Sequence, residues 1–199
     1  RIWNRDSRKN FSEFSFVESI YCSLLTLHFY THCTDPKATI RIRSTIIRSI
    51  QIVFNGEIYN YRELRVRLER RGIVFRGDSD TEVLANLLAC YGTECLPWLN
   101  GIFAFAAWIP AEQKLLLARD AAGVKPLYWA ATPEGRVFAS ELKSFKDVAG
   151  IDWSLDPEAV SAYLTLLYAP GELTPAKGVR KLLPGTFAEW SADGGVRSG

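Results

Sequence analysis

Apolar positions fall into readable periods from Gln51 onward and show no clean helical or strand period before it. Gln51–Phe54 predicts a short apolar strand. Tyr61–Arg71 predicts a helix: Leu64 and Leu68 stack four apart, Glu63 precedes Arg67 by four, and Gly72 marks the stop. Ile73–Phe75 predicts a strand. Ser79-x-x-Glu82 is a capping box opening a second helix, Thr81–Tyr91. Val83, Leu84, Leu87, Leu88 and Tyr91 give that helix one apolar face, and Gly92 ends it.

Four strands follow. Ile102–Ile109 is apolar on both faces, with Phe103 and Phe105 on one and Ala104 and Trp108 on the other. Pro110-Ala111-Glu112-Gln113 turns it into Lys114–Arg119. Leu127–Ala131 and Val137–Ala139 form a second hairpin around Pro133-Glu134-Gly135, and Asn100-Gly101 reads as a turn. A sheet with one wet face alternates apolar and polar residues. These strands do not, so both faces must be covered; two stacked sheets with helices outside meet that demand. Further on, Asp156-Pro157-Glu158 starts a helix leading into Ala159–Tyr168, and Thr186–Trp190 predicts a last strand. In residues 1–50, Ile40, Ile42, Ile46 and Ile50 suggest one or two strands.

Composition sharpens the contrast at residue 50. All 14 glycines lie at or after Gly56, and of nine prolines only Pro36 precedes residue 50. The head carries eight Lys or Arg against four Asp or Glu, whereas the whole chain of 199 residues is only +2. That small net charge gives no reason to expect nucleic acid or an anionic membrane as partner. No apolar run reaches the length of a membrane helix. Four cysteines in a chain of this size do not make a disulfide framework, so a reducing cytoplasm is the expected compartment.

The richest local signal is Asn55-Gly56-Glu57-Ile58-Tyr59-Asn60-Tyr61, joined by Ser79-Asp80-Thr81-Glu82. With Leu99–Phe105, Leu117–Asp120, Gly123–Tyr128 and Phe138–Lys143, these segments resemble type-2 (N-terminal-nucleophile) glutamine amidotransferases, and within them asparagine synthetase. The resemblance runs from about Gln51 to Trp190. It implies an α+β fold, an αββα sandwich of two antiparallel sheets, incomplete at its N-terminus. The Asn55 side chain and the Gly56 N–H would form the oxyanion hole. Asn55, Gly56, Glu57 and Asp80 would bind L-glutamine, the two carboxylates receiving its α-ammonium group. Asp80 is expected to cap its helix as well.

The same resemblance sets expectations at both ends. Residues 1–50 form an atypical segment, 51–150 the amidotransferase core, and 151–199 the end of that domain leading toward a synthetase domain. ATP, Mg2+ and aspartate would act in that synthetase domain, and the full enzyme is expected to form homodimers; this stretch itself is expected to hold no cofactor. The family's nucleophile is an N-terminal Cys, whereas this sequence opens Arg1-Ile2-Trp3, so hydrolysis by these residues alone is not expected. The family's arginine for the glutamine carboxylate has no counterpart in the sequence match. Cys22 and Cys33 are internal, Cys90 and Cys95 read as core or helical positions, and none has a free α-amino group to act as base. His28, His32 and Cys33 have metal-ligand spacing without a second matching pair. Two other readings stay open: a catalytically silent glutamine-binding or scaffold module, and the amidotransferase of another ATP-dependent amide-forming enzyme.

Overall fold

The computed structural model describes residues 15–22, 25–32, 43–47, 50–191 and 196–199. Its strands in chain order are β1 (Ser15–Cys22), β2 (Leu25–His32), β3 (Arg43–Ile47), β4 (Ile50–Ile58), β5 (Gly101–Ile109), β6 (Lys114–Arg119), β7 (Tyr128–Thr132), β8 (Gly135–Ala139), β9 (Val179–Lys181), β10 (Phe187–Ser191) and β11 (Val196–Ser198). Helices α1 (Tyr61–Glu69) and α2 (Asp80–Tyr91) lie between β4 and β5, and α3 (Pro157–Leu166) lies between β8 and β9. Short 3-10 segments cover Gly92–Trp98 and Leu142–Phe145.

Two sheets result, ordered β1-β2-β8-β7-β9 and β11-β10-β6-β5-β4-β3. The expected stack is present. Ala104, Ala106 and Trp108 of β5 pack with Leu115 and Leu117 of β6, Trp190 of β10 and Phe138 of β8, forming the layer between the sheets. The alternate residues Phe103, Phe105, Ala107 and Ile109 face the other way, against Leu64 and Leu68 of α1 and Val83, Leu84 and Leu87 of α2. Seven consecutive buried residues, Phe103–Ile109, are the physical result of a central strand covered on both faces. The outer face of the five-stranded sheet is closed by Phe145 and by Ala176 and Val179 of the returning segment, packed on Ala130, Val137 and Ala139.

Several elements differ from the sequence reading. β4 runs four residues past Phe54, carrying Asn55, Gly56 and Glu57 inside the strand. α1 stops at Glu69, and Gly72 closes the turn at φ +82° with its N–H on the Glu69 carbonyl. Ile73–Phe75 is not a strand: the Ile73 N–H is used by Leu68 of the preceding helix, and Phe75 lies under the Arg65 guanidinium. α2 is buried at every position from Asp80 to Leu88, not on one face alone. Asn100-Gly101 does not turn a hairpin but leads into β5. The five-stranded sheet also contains one parallel joint, β2 against β8 through Phe29 and Phe138.

Part of the head joins both sheets. β1 and β2 form a hairpin beside β8, and β3 flanks β4 antiparallel, with Ile47 opposite Ile50 and Arg43 opposite Phe54. Of the isoleucines singled out there, Ile46 lies on β3 and Ile50 begins β4, while Ile40 and Ile42 fall outside the described residues. His28 and His32 belong to β2, and Cys33 falls outside the described residues.

Candidate functional site

The site begins with the register of β4 on β5, which sets Asn55 opposite Ala104, Gly56 opposite Phe103 and Glu57 opposite Ile102. In an antiparallel ladder a residue's N–H and C=O point the same way, and facing pairs alternate between bonded and unbonded. Phe103 uses both groups on Asp120: its N–H donates to Oδ2 at 3.3 Å, and its carbonyl accepts from the Asp120 N–H at 2.8 Å. The Gly56–Phe103 pair is thus an unbonded, close pair. The Tyr59 N–H bond to the Asn100 carbonyl, 2.7 Å, falls on the alternate, bonded series, as this phase requires.

Closeness explains the glycine. A Cβ on Gly56 would lie 2.0 Å from the Ile102 carbonyl oxygen and 2.7 Å from the Phe103 Cα, and φ is +139°. Gly101 answers it across the ladder, where a Cβ would meet the Glu57 carbonyl oxygen at 2.1 Å. Glycine at position 56 is thus required by the close approach of β5.

The phase also fixes where the donors of β4 point. The N–H groups of Phe54, Gly56 and Ile58 face away from β5. Described pairing to β3 ends at Phe54. The Ile58 N–H donates to Asp80 Oδ2 at 3.2 Å. Gly56 lies between these two, its N–H directed at the same strand edge and taken by none of the described residues.

Asp80 reaches this edge from the first turn of α2. Its Oδ1 accepts from the Thr81 N–H at 2.8 Å and the Thr81 hydroxyl at 3.3 Å, and the residue is buried. It pins α2 to the end of β4. The cap of α2 is Ser79, whose hydroxyl accepts from the Glu82 N–H at 3.1 Å. Glu82 does not complete the capping box; its carboxylate instead accepts from the Arg76 and Gly77 N–H groups, both at 2.8 Å. Asn60 clasps the other side, donating to the Trp98 carbonyl at 2.8 Å and accepting from the Asn100 N–H at 3.0 Å.

Asn55 is half-buried and lines a slot between the sheets with Val53, Ala104, Ala106, Phe138 and Ser140. The slot encloses about 20 Å³, space for roughly one water. Glu57 is exposed at the strand end. Asn55, Gly56, Glu57 and Asp80 therefore converge on one end of β4, with Asn55 on the inter-sheet face and Asp80 at the open edge.

The profile of the glutamine amidotransferase domain matches residues 43–198. This chain belongs to that family. Among curated proteins, the amidotransferase domain is 43% identical over 146 residues to a putative glutamine-hydrolysing asparagine synthetase of Mycobacterium bovis, covering 71% of this chain and 22% of that protein. It is 42% identical over 145 residues to glutamine-hydrolysing asparagine synthetase 1 of Bacillus subtilis, covering 73% and 23%. The chain thus spans less than a quarter of the length of these relatives. Among solved structures, it superposes on glutamine phosphoribosylpyrophosphate amidotransferase from B. subtilis with a TM-score of 0.56 at 22% identity, over 85% of this chain and 33% of that one. A structure of the allosteric regulatory enzyme of purine biosynthesis gives 0.55 at 23%, over 80% and 30%. These likenesses show the fold, an αββα sandwich of the N-terminal-nucleophile type.

One structural centre of the amidotransferase domain went unnoticed in the sequence. Asp120 is buried, and its carboxylate accepts from Phe103, Ala122, Val124 and Lys125 N–H groups at 3.1–3.3 Å. Burial raises its pKa, and these four backbone donors outweigh that, holding the carboxyl below its usual range. Beside it the Arg119 fork donates to the carbonyls of Lys125, Leu182 and Gly123, each at 2.7 Å. Two adjacent opposite charges ending an apolar strand, just before a Gly- and Pro-containing loop, were the available signal.

Cys95 is buried, its thiol donates to the Gly92 carbonyl at 3.1 Å, and burial pushes its pKa up to about 12. Such a thiol is protonated near neutrality and is no nucleophile. Cys90 is half-buried against the helix-side core. No helix among the described residues is long and apolar enough to cross a membrane.

Proposed function

We propose that this domain takes L-glutamine at the open edge of β4 and forms the glutamine-hydrolysing half of an asparagine synthetase. The observation that carries the reading is the juxtaposition of the Gly56 N–H, taken by none of the described residues, with the Asp80 carboxylate along one strand edge, bracketed by the Ile58–Asp80 bond of 3.2 Å. Attack on an amide carbon needs donors for the oxyanion that develops. Gly56 N–H and the Asn55 carboxamide are suited to that task, and Glu57 and Asp80 to the α-ammonium group.

The nucleophile is a thiol other than Cys95. A polypeptide of these 199 residues is accordingly expected to bind glutamine without releasing ammonia. ATP, Mg2+ and aspartate belong, on this reading, to the remaining three quarters of the length seen in the relatives. Isothermal titration and a glutaminase assay on that polypeptide test the proposal. L-glutamine should bind and D-glutamine should not, Asp80→Asn should weaken binding about tenfold or more (about 1.4 kcal/mol), and ammonia should stay at background. Equal failure of both enantiomers to bind ends the reading. A silent binding module shares these expectations; grafting a strand that begins with Cys onto the head separates the two, because only the hydrolase then releases ammonia.

A further inference from the structure

The region around α3 is the part of the molecule that the glutamine site leaves unexplained. From Ala159 to Gly171 the sequence holds no charged residue. Tyr163, Leu164, Leu166, Leu167 and Tyr168 are all exposed, Leu164 and Leu167 by 76% and 78%, and Leu155 beside them by 68%. Val160, Tyr163, Leu164 and Leu167 recur at helical spacing, so they make one stripe. Ala159 is the one residue of α3 that is buried. The base of the excursion is nonetheless firmly held. Asp156 N–H bonds to the Pro175 carbonyl at 2.9 Å, Lys181 N–H to the Glu172 carbonyl at 3.0 Å, and the Lys181 ammonium donates to the Ala169 carbonyl.

Two physical facts set this stripe apart from an ordinary exposed helix face. A ten-residue helix is below the length of about 12–15 residues at which isolated helices become even marginal in water. Its Asp156 cap, accepting from Glu158 and Ala159 N–H groups, offsets only part of that deficit. Leu167 also ends the helix at φ +61°, a conformation that glycine adopts freely and a leucine side chain opposes. A strained residue that keeps a large apolar side chain exposed points to a contact made by that side chain.

We propose that the α3 stripe docks a second domain of the same polypeptide, the synthetase part of the enzyme, through an uncharged apolar surface; this rests on the function proposed above. A free second copy fits less well. Stable interfaces between separate chains bury about 800 Å² per partner, drawn from about 20–30 residues a side, whereas α3 has ten residues. A tethered domain arrives at an effective concentration in the millimolar range, where a smaller patch suffices. The relatives carry the length for such a domain, since the match covers 22–23% of them.

The test compares two proteins by hydrogen exchange: the 199-residue chain, and full-length asparagine synthetase 1 of Bacillus subtilis with its matching segment replaced by residues 51–191 of this chain. Amides of residues 160–167 should exchange at least tenfold more slowly in the chimaera. Leu164→Glu should remove that protection. Leu167→Gly should raise the melting temperature of the 199-residue chain, by relieving strain, and lower the protection in the chimaera. Slow exchange in the 199-residue chain itself, or equal rates in both proteins, overturns the proposal. A concentration-dependent dimer of the 199-residue chain that Leu164→Glu dissolves overturns it in favour of self-association. Glutamine titration of the same samples reports separately on the β4 site, so failure of the pocket and failure of the docking surface are told apart.

Discussion

An added methyl at Gly56 would lie 2.0 Å from a backbone oxygen, a clash no side-chain rotation relieves. Gly56→Ala is therefore expected to destabilise the fold by about 3 kcal/mol or more, read by chemical denaturation. Asp120 gives a prediction with a sign in pH. Its carboxyl is depressed in the folded state, so its stabilisation is full above the unfolded value of about 3.9 and is lost as pH falls through the folded value. Asp120→Asn should cost about 2–3 kcal/mol at pH 7, with the gap to wild type closing as acid is added. Cys95 should resist alkylation at pH 8 in the native protein and react only on unfolding, because about 12 is far above that pH.

At the scale of elements, β5 is the strand whose nature the sequence made plainest. Its unbroken apolar run required cover on both faces, and both faces are covered. Phe105→Ala, fully buried on the helix side, is expected to cost about 3–5 kcal/mol in thermal or denaturant unfolding. α2 was legible as a helix but not as one buried all round, since Thr81, Glu82 and Asn86 read as polar positions. Their polar atoms are satisfied internally, Asn86 by the Glu82 carbonyl at 2.9 Å, and that partnering is invisible in a hydrophobic pattern. Ile73–Phe75 misled because branched and aromatic residues suit a strand, while here they pack beside α1. The site shows the same division. Asn55, Gly56, Glu57 and Asp80 were visible as a motif, but the direction of the Gly56 N–H follows from which β5 partner is bonded. That register is a property of three strands at once and has no local signature.

At the scale of the whole molecule, the head flanks both sheets: β3 lies beside β4, and β1 and β2 lie beside β8. Removing residues 1–49 would bare β4 from Ile50 to Phe54 and the β8 edge at Phe138. Unpaired strand edges recruit other chains, so the truncated protein is expected to elute as aggregates in size-exclusion chromatography. Gly56 and Gly101 together lock the crossing of β4 and β5. Each glycine occupies the room that the other's strand needs, so a larger residue at either position would force β4 and β5 apart. A slip of the two strands by two residues, which keeps every side chain on its face, would park Phe54 or Ile58 in that gap, where even a Cβ meets backbone at 2.0 Å. The two glycines therefore act as a latch on the register, and with it on the strand edge that carries the Gly56 N–H.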